Sequence, residues 1–521
     1  MVSSARAVGF TSEFVYKKFI GGVVISLFFG NVYYALQASK IAMRTGTTPC
    51  AQPYGINTPG SIAKIFSVLG PALVAAEAEG LTGEAAMKKA WSVGCAANLV
   101  GGLVEFSGAF LAVLVFKLIP YGAMMVPIGG IGLSWLGYGY FVQVMAPPHY
   151  HFPVVALIPF IIFWVSFFGG NGRLNMFGPL PAVAVAMVIG IVLCACVDAD
   201  EYKDRFDPAA DFAGEAGLDT PDLTEGFKEL KSYGSLVAAI AFTNFIGTYA
   251  CNIQARIGGD YYSPMESMMV DGFGSMLGAL LGSPWGTTVY IGHTTYKQMG
   301  ATRGYSAACG TLFLILGLAG LYPIIDAILP HDIYVGILPC IGMLIASQCY
   351  EVSPSRWWPA VSLGLMITWS DMIGVWGADP DGNPTNGNPI MVMHPAYVWT
   401  SMLWTFLFMM LTDKWWLSAT VVLLVMTFLT SVGVIHSDEI TASYDGDGHL
   451  KGAPFNNPAT WKIIVSYASA AGFTGIYAVL QKGGYGPPAE EEDFRILQQE
   501  KYGTNKKGVT KEVEPPVEAT A

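Results

Sequence analysis

The sequence predicts an all-α polytopic membrane protein with an internal repeat and two discontinuous spans, and three observations carry that prediction. Only 12% of its 521 residues are charged and 53% are hydrophobic, against roughly 25% charged in an ordinary soluble domain. Apolar runs of bilayer-spanning length recur along the whole chain. Two of those runs are interrupted by Pro and Gly, one in each half.

Composition bounds the partners. Mean hydropathy is +0.47, and the 61 glycines suit tightly packed or broken membrane helices. A net charge of −11 leaves no basic stripe to meet phosphates, so nucleic acid is excluded as a partner and the lipid bilayer is the expected surrounding. The eight cysteines are scattered, mostly inside apolar runs, and read as small packing residues. No metal-ligand spacing, nucleophile motif or phosphate loop occurs, so neither an enzyme nor a cofactor is expected. Residues 1–18 lead directly into a spanning-length segment, which does not describe a cleavable signal peptide.

In chain order, crossings are expected near 19–39, 47–77, 92–116, 121–145, 152–169 and 179–196. After a stretch rich in Asp and Glu they resume near 234–252, 266–283, 284–300, 304–322, 334–349, 357–376, 395–411, 416–435 and 459–481. A cytosolic C-terminus places the short loops with Lys414, Arg356, Lys297, Arg303, Arg256, Arg173, Lys117, Lys40 and Arg44 inside. The acidic loops 198–232, 378–393 and 437–458 then fall outside. Asp445-Gly-Asp-Gly in the last of these reads as a plain turn, because the rest of a calcium loop is missing. The tail is polar and reads as disordered, with a short helix at 489–501.

The broken spans are Thr47-Thr-Pro-Cys-Ala-Gln-Pro-Tyr-Gly-Ile-Asn-Thr-Pro-Gly60 and Gly282-Ser-Pro-Trp-Gly-Thr-Thr-Val-Tyr-Ile-Gly-His-Thr-Thr295. That density of Pro and Gly stops a helix, and Val289-Tyr290-Ile291 favours extended backbone. Extended backbone survives at membrane depth only where protein buries it or it lines a cavity. Corresponding broken spans are the sequence pointer to an inverted-repeat transporter, whose half-helices aim positive dipole ends at a midplane site for a small polar or anionic solute. In the second half a helix precedes the helix–break pair; in the first half nothing precedes 19–39. The basic residues Arg6, Lys17 and Lys18 also fall on the outer side unless one more helix is added. The first repeat therefore reads as lacking its opening helix, either in a shortened version of a longer protein or in a fold with an incomplete repeat. The expected organisation is an N-terminal segment 1–18, a first repeat 19–197, an acidic loop 198–233, a second repeat 234–411, two additional helices in 412–482 and a cytosolic tail 483–521.

Thr243-Asn-Phe-Ile-Gly-Thr248, Asp271-Gly-Phe-Gly-Ser-Met-Leu-Gly-Ala-Leu-Leu-Gly-Ser283, Gly286-Thr-Thr-Val-Tyr290 and Arg303-Gly-Tyr-Ser306 follow one another in a familiar order. Over residues 19–376 the chain resembles the nucleobase permease superfamily of xanthine and uracil permeases. Pro53-Tyr-Gly-Ile-Asn57 is similar to the first broken span of its adenine/guanine/hypoxanthine branch. The resemblance implies a seven-plus-seven inverted repeat, here with 13–15 crossings, core and gate domains, an elevator-like movement and coupling to H+ or Na+. It also implies carboxylates at two positions that here hold Asn244 and Ile291.

Asn244, Thr248 and Asn252 share one helix face and are candidate solute ligands. Gln52, Tyr54 and Asn57 are candidates from the first broken span, and Thr287, Thr288, Tyr290 and His293 from the second. Glu105 and Asp271 are intramembrane carboxylates and candidate coupling residues, whereas Asp371 reads as a packing group. Asp271 is expected early in its helix, in a first-turn or packing role. The expected function is secondary-active transport of a small-molecule substrate of purine nucleobase type: guanine, hypoxanthine, adenine or xanthine. An anion carrier on the same fold and a non-transporting scaffold or receptor are the alternatives. The plasma membrane is the default location, and a homodimer is among the assemblies the sequence leaves open.

Overall fold

A computed structural model describes residues 2–145, 153–169, 182–197, 199–206, 213–214, 217–230, 233–290, 292–329, 331–376, 393, 396–436, 443–444, 450–451, 458–485 and 488–489. Ile291, the turn at 445–448, the tail from 490 with its expected helix, and most of loops 378–393 and 437–458 lie outside these residues.

The chain opens with two short helices, α1 (Val2–Ala7) and α2 (Ser12–Lys18), followed by the long α3 (Ile20–Thr45). Thr11 caps α2 by accepting from the Phe14 N–H, and Gly46 ends α3 at φ 72°, the left-handed conformation that glycine adopts without strain. Strand β1 (Tyr54–Ile56) leads into α4 (Thr58–Lys64), a π-helical stretch (Ile65–Leu69) and α5 (Gly70–Ala78). Then come α6 (Glu84–Leu118), α7 (Tyr121–Ile131), a second π-helical stretch (Gly132–Gly139), α8 (Tyr140–Met145), α9 (Val154–Gly169), α10 (Ala182–Val197), α11 (Ala199–Asp204) and α12 (Leu223–Leu230). The second half holds α13 (Gly234–Ile257), α14 (Pro264–Leu280), β2 (Thr287–Val289), α15 (His293–Gln298), α16 (Gly304–Leu318), α17 (Tyr322–Ile328) and α18 (His331–Glu351). It closes with α19 (Trp358–Ile367), α20 (Trp369–Trp376), α21 (Tyr397–Thr412), α22 (Trp416–Ser431), a small hairpin of β3 (Ser443–Tyr444) and β4 (Leu450–Lys451), and α23 (Pro458–Lys482).

The chain is thus a largely helical, multi-pass membrane protein. Among the described residues five helices are long and apolar enough to cross a bilayer, and α16 with α17 is a sixth apolar segment bent by 108° at its break, the geometry of a broken span or a re-entrant loop. Residues 47–77 are interrupted at β1, as the broken-span reading expects, and 121–145 stay one span that passes through a π-helical stretch. The expected crossing 357–376 is divided between α19 and α20. Pro, Gly and π-turns allow this because neighbouring helices satisfy the freed backbone groups.

Two compact units form. The first comprises residues up to Val113 and Tyr140–Cys340. In it α14 crosses α6 closely enough that a Cβ built on Gly272 would lie 2.6 Å from both Gly102 O and Phe106 N, so only glycine fits. Phe14 and Phe19 pack edge-on against Trp91 and Trp285, with ring centroids 6.1 and 5.3 Å apart, and tie the opening helices to the loop before β2. The described part of the acidic segment docks here through ion pairs Lys18–Asp219 at 2.6 Å and Lys89–Glu229 at 3.2 Å. The second unit, Leu114–Gly139 and Ile341–Lys501, packs α7 against α19 and α21, and α22 against α23. Arg356 pairs with Asp413 at 2.9 Å, and Trp135 Nε1 donates to Asp371 at 2.8 Å.

Candidate functional site

The two broken spans meet at a two-stranded antiparallel sheet: Tyr54 pairs with Val289, Gly55 with Thr288 and Ile56 with Thr287. The Asn57 N–H to Gly286 O bond (2.8 Å) and the Tyr290 N–H to Pro53 O bond (2.9 Å) extend the ladder at both ends. A lone pair of strands leaves two unpaired edges, which are costly away from water. Helix side chains fill them. Ser275 Oγ accepts from the Thr287 N–H (3.0 Å) and donates to Thr287 O (2.9 Å), Asp271 accepts from the Val289 N–H (2.9 Å), and Asn31 Nδ2 donates to Tyr54 O (3.1 Å). Asn98 Nδ2 reaches the carbonyls of Ser275, Ser283 and Trp285 at 3.1–3.2 Å, holding the approach to β2.

Alternation along β2 sends Thr287 and Thr288 to opposite faces. Thr287 meets Tyr54 Oη at 2.8 Å and Ser26 Oγ at 2.5 Å. On the other face Thr288 joins a fully buried carboxylate cluster. Thr248 Oγ1 lies 2.6 Å from Glu105 Oε1, 3.0 Å from Asp271 Oδ2 and 2.9 Å from Thr288 Oγ1. Thr288 donates to Asp271 Oδ2 at 2.9 Å, and Tyr34 Oη donates to Asp271 Oδ1 at 2.6 Å. Asp271 is not in a first turn: Ser263 caps the helix and Pro264 begins it, which places the carboxylate two turns inside.

The other candidates form separate contacts. Asn57 Nδ2 donates to Asn244 Oδ1 at 2.7 Å, while Asn57 Oδ1 accepts from the Gly60 N–H at 3.1 Å and so caps α4. Gln52 Nε2 donates to Ser267 Oγ at 3.0 Å, and Ser267 donates to Asn252 Oδ1 at 3.1 Å. Tyr290 and His293 have partners outside the Glu105–Asp271 cluster. Tyr290 Oη pairs with Tyr296 Oη at 2.9 Å, and His293 Nε2 is 2.9 Å from Asp260 Oδ2 in the loop between α13 and α14. Asp260 also accepts from Lys297 Nζ at 2.7 Å and from the Cys50 N–H at 3.0 Å. Burial pushes the Asp260 carboxyl up, but the bonds and charges of His293 and Lys297 outweigh that and hold it below its ordinary value.

Sequence reasoning missed Lys64, Asn98 and Tyr34. Lys64 is 3% exposed at the junction of α4 with its π-turn, and Nζ donates to Asn98 Oδ1 at 2.7 Å. A lysine inside the apolar stretch Ser61-Ile-Ala-Lys-Ile-Phe66 was the available signal. The polar atoms can hydrogen-bond a solute and hold a proton. Among the described residues no group of three His, Cys, Asp or Glu could hold a metal ion.

No protein-family profile and no curated protein matches the chain. Solved structures do. The transmembrane domain of a cyanobacterium bicarbonate transporter, BicA, is 14% identical, with 74% of this chain and 96% of that one covered and a TM-score of 0.39. SLC26A9 is 13% identical, with 84% and 70% covered and a TM-score of 0.40. Likeness at that level does not reach substrate or site residues, whose description rests on the contacts above.

Proposed function

We propose that the chain is a secondary-active transporter of small polar solutes, and that its solute is a neutral heterocycle of purine nucleobase type. The observation that carries this reading is the Asn57–Asn244 amide pair beside the strand junction, with Asn57 half-buried. Each amide presents both a donor and an acceptor, the complement of a purine edge, and neither changes charge near neutral pH. A base replacing the Asn57–Asn244 bond leaves no buried group unpaired. The paired broken spans give the inverted-repeat arrangement in which one half moves against a fixed site. Glu105 and Asp271 supply groups that can carry a coupling proton. Residence in the plasma membrane with a cytosolic tail completes the reading.

The test is a thermal-shift screen on detergent-purified protein with purines, pyrimidines and oxyanions, followed by uptake into proteoliposomes. A saturable shift with guanine or hypoxanthine, whose midpoint rises about tenfold or more in Asn244→Ala, supports the reading. A shift with oxyanions alone overturns the solute.

One observation favours a small anion instead. Among the described residues the buried Lys64 amine has one hydrogen-bond partner, the neutral Asn98 amide. A buried amine so sparsely satisfied takes up its proton most readily beside an anion, which makes it the group expected where an anion visits. In that case the oxyanion shift is lost in Lys64→Met.

A further inference from the structure

Thr248 has one hydroxyl proton and three oxygens within hydrogen-bond distance: Glu105 Oε1 at 2.6 Å, Asp271 Oδ2 at 3.0 Å and Thr288 Oγ1 at 2.9 Å. Thr288 has one proton and faces Thr248 and Asp271 Oδ2, the latter at 2.9 Å. With both carboxylates ionised, these four close oxygen pairs share two protons, and Thr248 can donate to only one carboxylate. Its lone pairs then face the other at contact distance, inside protein, where such repulsion is least screened. One further proton relieves this. The two acids are not equivalent. Asp271 accepts from Tyr34 Oη, the Val289 N–H and Thr288, and an ionised carboxylate is the acceptor-only form suited to those donors. Glu105 has Thr248 as its hydrogen-bond partner. A consistent chain runs from Glu105 O–H to Thr248 and from Thr248 to the Asp271 carboxylate, to which Thr288 also donates.

We infer that Glu105 and Asp271 hold one exchangeable proton between them, seated on Glu105, and that Thr248 is the positioning residue that transmits its presence to Asp271 and to β2. With Glu105 protonated, the cluster carries one negative charge, on Asp271. Loss of the proton adds a second negative charge in the interior beside the first, so the proton-loaded core is the form that crosses the bilayer at least expense. The carboxylates expected at positions 244 and 291 are absent, and α6 supplies the acid in their place. The coupling role rests on the transport reading; the location of the proton does not.

Infrared difference spectroscopy of the purified full-length protein across a pH titration reads the proton directly, without transport. The expected result is a protonated-carboxyl band that is lost in Glu105→Gln and survives in Asp271→Asn. In Thr248→Val the band stays but shifts, and Thr248→Ser restores its position. A band lost in Asp271→Asn and kept in Glu105→Gln places the proton on the other acid and overturns the assignment. Absence of any such band in the wild type does the same. A band that behaves as expected in a protein that moves no proton with any solute keeps the assignment and removes the transport reading.

Discussion

Lys64 and Asn98 form a buried pair at 2.7 Å in which the amide serves two masters: its oxygen takes the ammonium while its nitrogen is shared among three backbone carbonyls. The two residues therefore differ in what their loss exposes. Asn98→Ala takes a donor from three carbonyls, of which Trp285 O keeps the Ser283 hydroxyl, and removes the partner of the buried Lys64 amine; it is expected to destabilise by about 3 kcal/mol or more. Lys64→Met removes the charge together with its desolvation penalty, leaves one amide oxygen unpaired and is expected to cost about 1–3 kcal/mol. Thermal unfolding in detergent checks the order. Equal losses would show that Asn98 does not hold the approach to β2.

Asn244→Ala is expected to weaken nucleobase binding about tenfold to a hundredfold, the effect of about 1.4–2.8 kcal/mol from an unpaired polar edge. Asn244→Asp introduces a carboxylate that titrates, so its affinity acquires a pH dependence that the wild-type amide cannot have. Thermal-shift titrations at several pH values measure both.

Gly272→Ala places its methyl group 2.6 Å from the backbone at Gly102 and Phe106, atoms that cannot rotate away. Overpacking of this kind is expected to cost ~3 kcal/mol or more and to abolish a monodisperse gel-filtration peak. Gly247→Ala on α13, where nothing lies within 4 Å of the added carbon, serves as the control. It is expected to stabilise by up to about 1 kcal/mol through helix propensity.

Asp260 sets an acid limit on stability. Its folded-state value lies below that of an unfolded Asp, so its contribution is complete above about pH 4–5 and is lost as pH falls through the folded value. Asp260→Asn is expected to flatten the fall in melting temperature on that acid side and to lower stability at pH 7. An unchanged acid limb would remove the role. The same pairing fixes the His293 tautomer. An ionised Asp260 needs a proton on Nε2, which leaves Nδ1, buried and without a partner, as a bare lone pair.

The broken spans were legible because Pro and Gly at that density leave a helix no alternative, and the strands fall inside the segments so identified. The Asn244–Thr248–Asn252 face was legible from four-residue spacing alone. Which partners each residue meets was not. Thr287 and Thr288 look equivalent in sequence, but strand alternation gives one to Tyr54 and the other to Asp271. Tyr290 and His293 follow the same strand and turn away to Tyr296 and Asp260. Lys64 escaped because lysines were read as loop markers, and at helix depth its partner comes from α6, a relationship that spacing cannot express.

The sheet that joins the broken spans also has a history in time. Tyr54 and Thr287 stand 233 positions apart, and at about 5–20 residues per second a ribosome needs roughly 12–47 s between them. For that interval β1 waits in the translocon or the bilayer with its ladder unformed, and the first half cannot reach its final state however well its own helices pack. Formation of the first unit's core is therefore paced by the arrival of β2.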